Sequence, residues 1–171
     1  MQTTNLKIRR FCNEDFDDFA ELIRDKMASK YAIYDHPFPT DDESLRKILD
    51  YFSGTDEFYA VVLTGTNKVI GFLTLNNCGE HGVRNLGYCL HSLYQGKGYG
   101  TEAVSEIIRY AKEELKIYKL VTGTAKDNIP SVRLLSAVGF KKTGEGIASF
   151  AKDECGNPID CIVYSYEMLL T

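Results

Sequence analysis

Between Leu6 and Phe11 apolar and polar residues alternate, which predicts a short strand. The next stretch, "NEDFDDFAELIRDKM", changes period: Phe16, Phe19, Leu22 and Ile23 fall on one face of a helix, with Asn13 placed to cap it. After an aromatic loop, "SKYAIYDHPFP", a second helix is expected over "TDDESLRKILDYF". Thr40 and Glu43 stand at capping-box spacing there, and Leu45, Ile48, Leu49 and Phe52 form its apolar stripe. Two β-branched and aromatic runs, "EFYAVVLT" and "KVIGFLTLNN", flank "GTN" as a hairpin, and "VRNLGYCL" follows the turn "GEHG", so three successive antiparallel strands are expected. From Gly98 or Tyr99 the period returns to 3.6, with Ala103, Val104, Ile107, Ile108, Ala111 and Leu115 as the buried stripe. "YKLVTGT" predicts a strand and "DNIPSVRLLSAVGF" a short helix closed by Gly139. The C-terminal stretch from Phe140 predicts two strands around a Gly-Asn-Pro turn.

The order is β-α-α-β-β-β-α-β-α-β-β, an α/β chain whose mixed sheet carries helices on its faces. No repeat, linker or low-complexity tract interrupts it, and 171 residues suit one domain, residues 1–171, with a core that needs neither metal nor disulfide. Composition narrows the classes. With 44% hydrophobic and 26% charged residues the chain is of ordinary globular make-up, and no apolar run approaches the ~20 residues of a membrane helix. "MQTTNLKIRRF" does not resemble a secretory signal, so a cytoplasmic protein is the expectation. Five cysteines without C-x-x-C or His spacing are expected to be free thiols, not metal ligands. A net charge of −4 and a pI near 5.4 give no footprint for nucleic acid.

The most informative segment is "GYCLHSLYQGKGYGTEA". Gly96, Gly98 and Gly100 alternate between an apolar run and a strong helix. Glycines there either make a tight turn or bare the backbone amides at the positive end of the helix to an anion, and three in alternation favour the anion. A Walker loop would need glycine where His91 stands and Ser or Thr where Gly98 stands, and a Rossmann fingerprint would need glycine at Thr101. Both patterns fail.

The remaining pattern, Gln95-Gly96-Lys97-Gly98-Tyr99-Gly100, resembles the acyl-CoA pyrophosphate loop of the GNAT superfamily of N-acetyltransferases. The resemblance continues in Asn128-x-x-Ser131-x-x-Leu134 and Gly139-Phe140, and the element order is similar to that of the superfamily over nearly the whole chain. Within it, "NLGYCLHSLYQGKGYGTEA" and "NIPSVRLLSAVGF" look most like the ribosomal-protein-alanine N-acetyltransferase branch.

The resemblance implies a mostly antiparallel central sheet flanked by helices, with acetyl-CoA as cosubstrate and no metal. Its pyrophosphate would lie on the amides of Gly96, Lys97, Gly98, Tyr99, Gly100 and Thr101, with Gln95 bracing the loop and Cys89 and Leu90 giving main chain to the pantetheine arm. Asn128 and Ser131 would lie near the pantetheine and the sulfur, although a helix N-cap and a first-turn hydroxyl explain the same two residues. The acceptor would be a primary amine of a small molecule or a peptide N-terminus, with a backbone N–H at Leu90 stabilising the oxyanion. No nucleic acid or membrane partner is expected, and a homodimer is left open.

Two positions depart from the superfamily. Leu135 stands where many members carry a tyrosine acid, and Asn85 where members of the branch often carry a glutamate. Tyr88, His91, Glu80 or a chain of waters are the substitutes for proton handling, with His91 read first as a solvated turn residue. A CoA-binding module without turnover is the alternative that these departures sustain. Tyr31, Tyr34, Asp35 and Phe38 form either an aromatic, mildly acidic wall for the acceptor or packing over the sheet edge.

Overall fold

A computed structural model describes residues 1–170. The strands are β1 (Leu6–Arg9), β2 (Phe58–Leu63), β3 (Val69–Asn77), β4 (Val83–Leu90), β5 (Lys119–Ala125), β6 (Lys141–Lys152) and β7 (Pro158–Leu169). The helices are α1 (Phe16–Ala28), α2 (Asp42–Gly54), α3 (Tyr99–Glu113) and α4 (Ile129–Ala137). The strands form one seven-stranded sheet in the order β1-β2-β3-β4-β5-β7-β6. Every neighbouring pair is antiparallel except β4 and β5.

Strand alternation splits the core into two layers. Ile8, Tyr59, Val61, Leu73, Leu75, Leu86 and Leu120 pack with Val104 and Ile107 of α3 and Leu135 of α4. Ala60, Val62 and Phe72 lie on the other face beneath Phe19 and Leu22 of α1 and Leu49 and Phe52 of α2. β3 is buried from Val69 to Leu75, which is why its sequence is a continuous apolar run instead of an alternation.

Three boundaries differ from expectation. α1 begins after a 3-10 turn, Asn13–Asp15, because the Asp15 carboxylate accepts from the Cys12 amide (3.0 Å) and is held by both terminal nitrogens of Arg9 (2.7 Å each). Asn13 is therefore inside the turn and caps nothing. At α2 the cap is Asp41, whose Oδ1 accepts from the Ser44 amide (2.9 Å), while the Thr40 carbonyl accepts from Arg24. Leu115 drops out of the α3 stripe because the helix ends at Glu113, and its side chain is 40% exposed.

Asp15 is only 5% exposed. Burial alone would raise its pKa, but the Arg9 guanidinium and the Cys12 amide outweigh it and hold the carboxyl below the usual carboxylate range. A depressed pKa contributes stability above the unfolded value of about 3.9, and that contribution is lost as pH falls through the folded value. Arg9→Met leaves the buried carboxylate without its cationic partner and is expected to cost about 2 kcal/mol near neutral pH. Urea denaturation at pH 7 and pH 3 checks this, since the penalty must shrink in acid.

Candidate active site

β4 and β5 run parallel, but their register covers only Val83 to Asn85 against Lys119 to Val121. One further link, Thr122 Oγ1 donating to the Leu86 carbonyl (2.8 Å), holds them together before they part. Beyond it the sheet splits, and the C-terminal halves of the two strands face each other across a gap.

The register against β3 fixes which main-chain groups of β4 face that gap. The His91 amide donates to the Ile70 carbonyl (2.9 Å), and the pairing of Gly71 with Leu90 and Phe72 with Cys89 carries the alternation back along the strand. In an antiparallel pair, every second residue bonds its partner and the residues between point the other way. Gly87, Cys89 and His91 therefore bond β3, whereas Leu86, Tyr88 and Leu90 direct N–H and C=O toward the gap. The Thr122 bond to Leu86 and a second bond, Gln95 Nε2 to the Leu90 carbonyl (2.7 Å), fit this phase. The expectation that Cys89 offers its main chain to a ligand is thus corrected to Tyr88. The Cys89 side chain lies on the α1 face, where burial pushes its thiol up to about 12.

The gap belongs to a cavity of about 1070 Å³. One end reaches the glycine loop, where Gln95, Gly96, Gly98, Gly100 and Thr101 line it. Gly96 and Gly98 have φ of +72° and +86°, and a Cβ on either meets nothing within 4 Å. Backbone conformation therefore requires glycine at these two positions, not the space around them. At Gly100 the demand is different, since a Cβ would stand 3.0 Å from Leu134 Cδ1 where α4 crosses α3. The first amide after the loop with a backbone acceptor is that of Glu102, on the Gly98 carbonyl (3.0 Å). Among the described residues the amides of residues 96–101 have no protein acceptor, and they gather at the N-terminus of α3, where the helix dipole favours an anion. Lys97 and Tyr99 do not line the cavity: Lys97 Nζ lies 5.5 Å from the Tyr94 ring centre, and the Tyr99 ring packs on the core.

Across the gap, Asn128 occupies the N-cap position of α4, yet its side chain makes no capping bond and lines the cavity. Ser131, one turn on, has its Oγ 2.6 Å from the Tyr88 hydroxyl. Burial, opposed only in part by the bond to Ser131, pushes the Tyr88 phenol up to about 12. Leu135 is fully buried within the α3 layer, so position 135 offers nothing to the gap, while Asn85 stands where β4 and β5 part and lines the cavity.

His91 is not a solvated turn residue. It is 6% exposed and sealed beneath α1, with Nε2 3.3 Å from Glu21 and Nδ1 3.7 Å from Asp25. Nδ1 also accepts from the Leu93 amide (3.2 Å), and the ring does not line the cavity, so His91 ties α1 to the end of β4. Glu80 sits beyond the opposite end of β4, bonded to the Tyr118 hydroxyl (2.6 Å) and 3.9 Å from Lys119, away from the gap.

The far wall comes from the α1–α2 loop and β6. Tyr31, Tyr34, Asp35, His36 and Phe150 line it, and the His36 and Phe150 rings meet edge to face at 5.2 Å. Phe38 belongs to the α1–α2 layer instead. The wall is not acidic: Lys26 Nζ is 2.8 Å from Asp35, and Lys30 Nζ lies 5.1 Å from the Tyr31 ring centre. Arg133 also lines the cavity, and nothing in its sequence context marks it. All five cysteines are unpaired, no group of three or more metal-binding side chains comes together among the described residues, and no helix there is long and apolar enough to cross a membrane.

A sheet split between two parallel strands, with a helix N-terminus at one end of the split, defines an acyl-CoA-type acyltransferase fold. The family model for the acetyltransferase (GNAT) domain matches residues 5–141, so the chain belongs to the GNAT family and is an N-acetyltransferase. It is 28% identical over 171 residues to the uncharacterized N-acetyltransferase p20 of Bacillus licheniformis, covering 96% of this chain and 94% of that protein. Among solved structures it is similar to the ribosomal-protein-S5-alanine acetyltransferase from Vibrio fischeri, with a TM-score of 0.78 and 22% identity over 96% of this chain and 94% of that one. It is also similar to the spermidine N-acetyltransferase from Vibrio cholerae in complex with CoA and spermine, with a TM-score of 0.79 and 17% identity over 98% and 97%.

Proposed function

We propose that the chain, as one unit over residues 1–171, moves the acetyl group of acetyl-CoA to a primary amine of a small molecule or a peptide N-terminus. The observation that carries this reading is the continuity of the gap with the loop. The main-chain groups of Tyr88 and the Leu90 N–H face the gap along one side, away from β3, and the acceptor-free amides of residues 96–101 gather at its mouth. The pyrophosphate is held on those amides, with Gln95 fixing the loop to the end of β4. The pantetheine arm lies in the gap as an added strand on Tyr88 and Leu90, and Asn128 offers its free side-chain amide from α4. The Leu90 N–H, whose own carbonyl is taken by Gln95, is the oxyanion donor.

The acceptor reaches the thioester past the wall of Tyr31, Tyr34, His36 and Phe150. Its nucleophile is the neutral amine, and neither Asn85 nor Leu135 can take the proton, so it leaves through solvent before attack. Relatives act on different amines, a ribosomal-protein alanine in one case and spermidine in another. The pH profile separates these classes here. The acceptor's kcat/KM is expected to rise tenfold per pH unit and level off near the amine's own pKa, about 8 for a peptide α-amino group and about 10.4 for an alkyl amine.

The deciding experiment is titration calorimetry with acetyl-CoA, followed by a thiol-release screen against N-terminal peptides, amino acids, aminoglycosides and polyamines. Binding without accelerated thiol release from any acceptor would favour a CoA-binding module instead.

A further inference from the structure

The Tyr88 side chain points from β4 into the α3 layer, and its hydroxyl meets Ser131 in the first turn of α4, 43 residues away in sequence. The same hydroxyl lies 3.5 Å from the Ser131 carbonyl, so it approaches both oxygens of that residue. A phenol is a stronger proton donor than an alcohol. In a pair of hydroxyls 2.6 Å apart the phenol therefore donates, the serine oxygen accepts, and the serine proton is left to turn elsewhere. Both residues line the cavity between the parted strands, so the gap is open to that proton.

We propose that Tyr88 is a positioning residue which directs the Ser131 O–H at the sulfur of the acyl donor. This rests on the acetyl-CoA reading of the gap. When the neutral amine attacks, the new C–N bond forms, the attacking nitrogen gives up a proton to solvent, the C–S bond breaks and the electron pair leaves on sulfur. Ser131 then stabilises the thiolate by a charge-assisted hydrogen bond. No proton crosses from the protein: the thiolate, with a pKa of about 8.5, is far less basic than a phenolate or an alkoxide. The thiolate is protonated later by solvent. Burial keeps the Tyr88 phenol protonated throughout the working pH range, so the orientation of Ser131 does not change with pH.

The test uses Ser131→Ala, Tyr88→Phe and the double variant, with two readouts. Steady-state kinetics are expected to show kcat lower by about thirtyfold in Ser131→Ala and about tenfold in Tyr88→Phe, within the range of a hydrogen bond to a charged group, with acetyl-CoA KM within threefold. The double variant should be no worse than Ser131→Ala, because Tyr88 acts only through the serine. The second readout needs no turnover: at pH 9 the wild type should bind CoA at least fivefold tighter than desulfo-CoA, and each variant should bind the two alike.

Multiplying losses in the double variant, or undiminished preference for CoA in Tyr88→Phe, would overturn the proposal. So would a loss of four orders of magnitude in Ser131→Ala, which would mean obligatory proton transfer. A wild type that does not bind acetyl-CoA at all would instead sink the reading of the gap itself, and the pair with it.

Discussion

Gly98→Val is expected to lower acetyl-CoA affinity at least a hundredfold while leaving the fold intact. The space beside Gly98 is open, so the added side chain meets no protein atom within 4 Å. The cost lies in the backbone. Gly98 is the N-cap of α3 at φ +86° and ψ −12°, a left-handed conformation that costs ordinary residues about 1–2 kcal/mol and a β-branched residue more. Valine relieves that strain by turning the 97–98 and 98–99 peptides, which takes amides out of the ring that faces the gap. Bonds to a charged oxygen contribute about 1.5–3 kcal/mol each, so losing one or two amounts to a hundredfold. α3 itself is held by Ala103, Val104, Ile107 and Ala111, all buried in the core, so thermal unfolding should shift by a few degrees at most. Gly146→Ala on β6, with open space and no left-handed φ, is the matched control. Wild-type affinity in a folded Gly98→Val protein, measured by calorimetry, would falsify this account of the loop.

Element order was legible because each element has its own period: alternation at β1, helical spacing in α1 to α3, and turn residues between the strands of the meander. Local competition moved the boundaries. Asn13 lost the cap because the neighbouring Asp15 found Arg9, and Thr40 lost it to Asp41, one residue closer to the helix. Gln95 and the loop glycines were legible as a pattern, but the reason for each glycine was not, since backbone conformation at Gly96 and Gly98 and crowding by Leu134 at Gly100 look alike in a sequence.

The site's chemistry was least legible where it depends on distant partners. His91 is buried by Glu21 and Asp25, which stand on a helix more than sixty residues earlier, and Tyr88 meets Ser131 across the parted sheet. Neither contact leaves a local signal. The phase of β4 was equally hidden: whether Tyr88 or Cys89 offers its main chain to the gap depends on one hydrogen bond, His91 to Ile70, that sets the alternation for the whole strand.

That phase makes Gly71 the second position where a small change should have a large effect. Gly71 lies opposite Leu90 at the end of the β3–β4 pair. A Cβ there would stand 2.4 Å from the Cys89 carbonyl oxygen, 3.0 Å from Leu90 Cδ1 and 3.3 Å from Leu90 Cα. The first contact is with backbone, which cannot swing aside as a side chain can, so Gly71→Ala forces the end of β4 away from β3. Overpacking of this kind typically costs about 1–3 kcal/mol, and the upper end is expected because Gly71 is buried in the sheet centre between two filled layers. The same displacement moves the Leu90 N–H and the Leu90 carbonyl that anchors Gln95, so acetyl-CoA affinity should fall by tenfold or more in molecules that remain folded. Gly87 is the instructive contrast. A Cβ there would come within 2.5 Å of Thr74 Oγ1, a side-chain atom, and rotation of that threonine gives Gly87→Ala a milder penalty. Urea denaturation and acetyl-CoA calorimetry on both variants decide the matter. If Gly71→Ala is as stable as Gly87→Ala and binds acetyl-CoA like the wild type, the spacing of β3 and β4 does not set the geometry of the gap, and the assignment of the Leu90 amide to the oxyanion loses its structural basis.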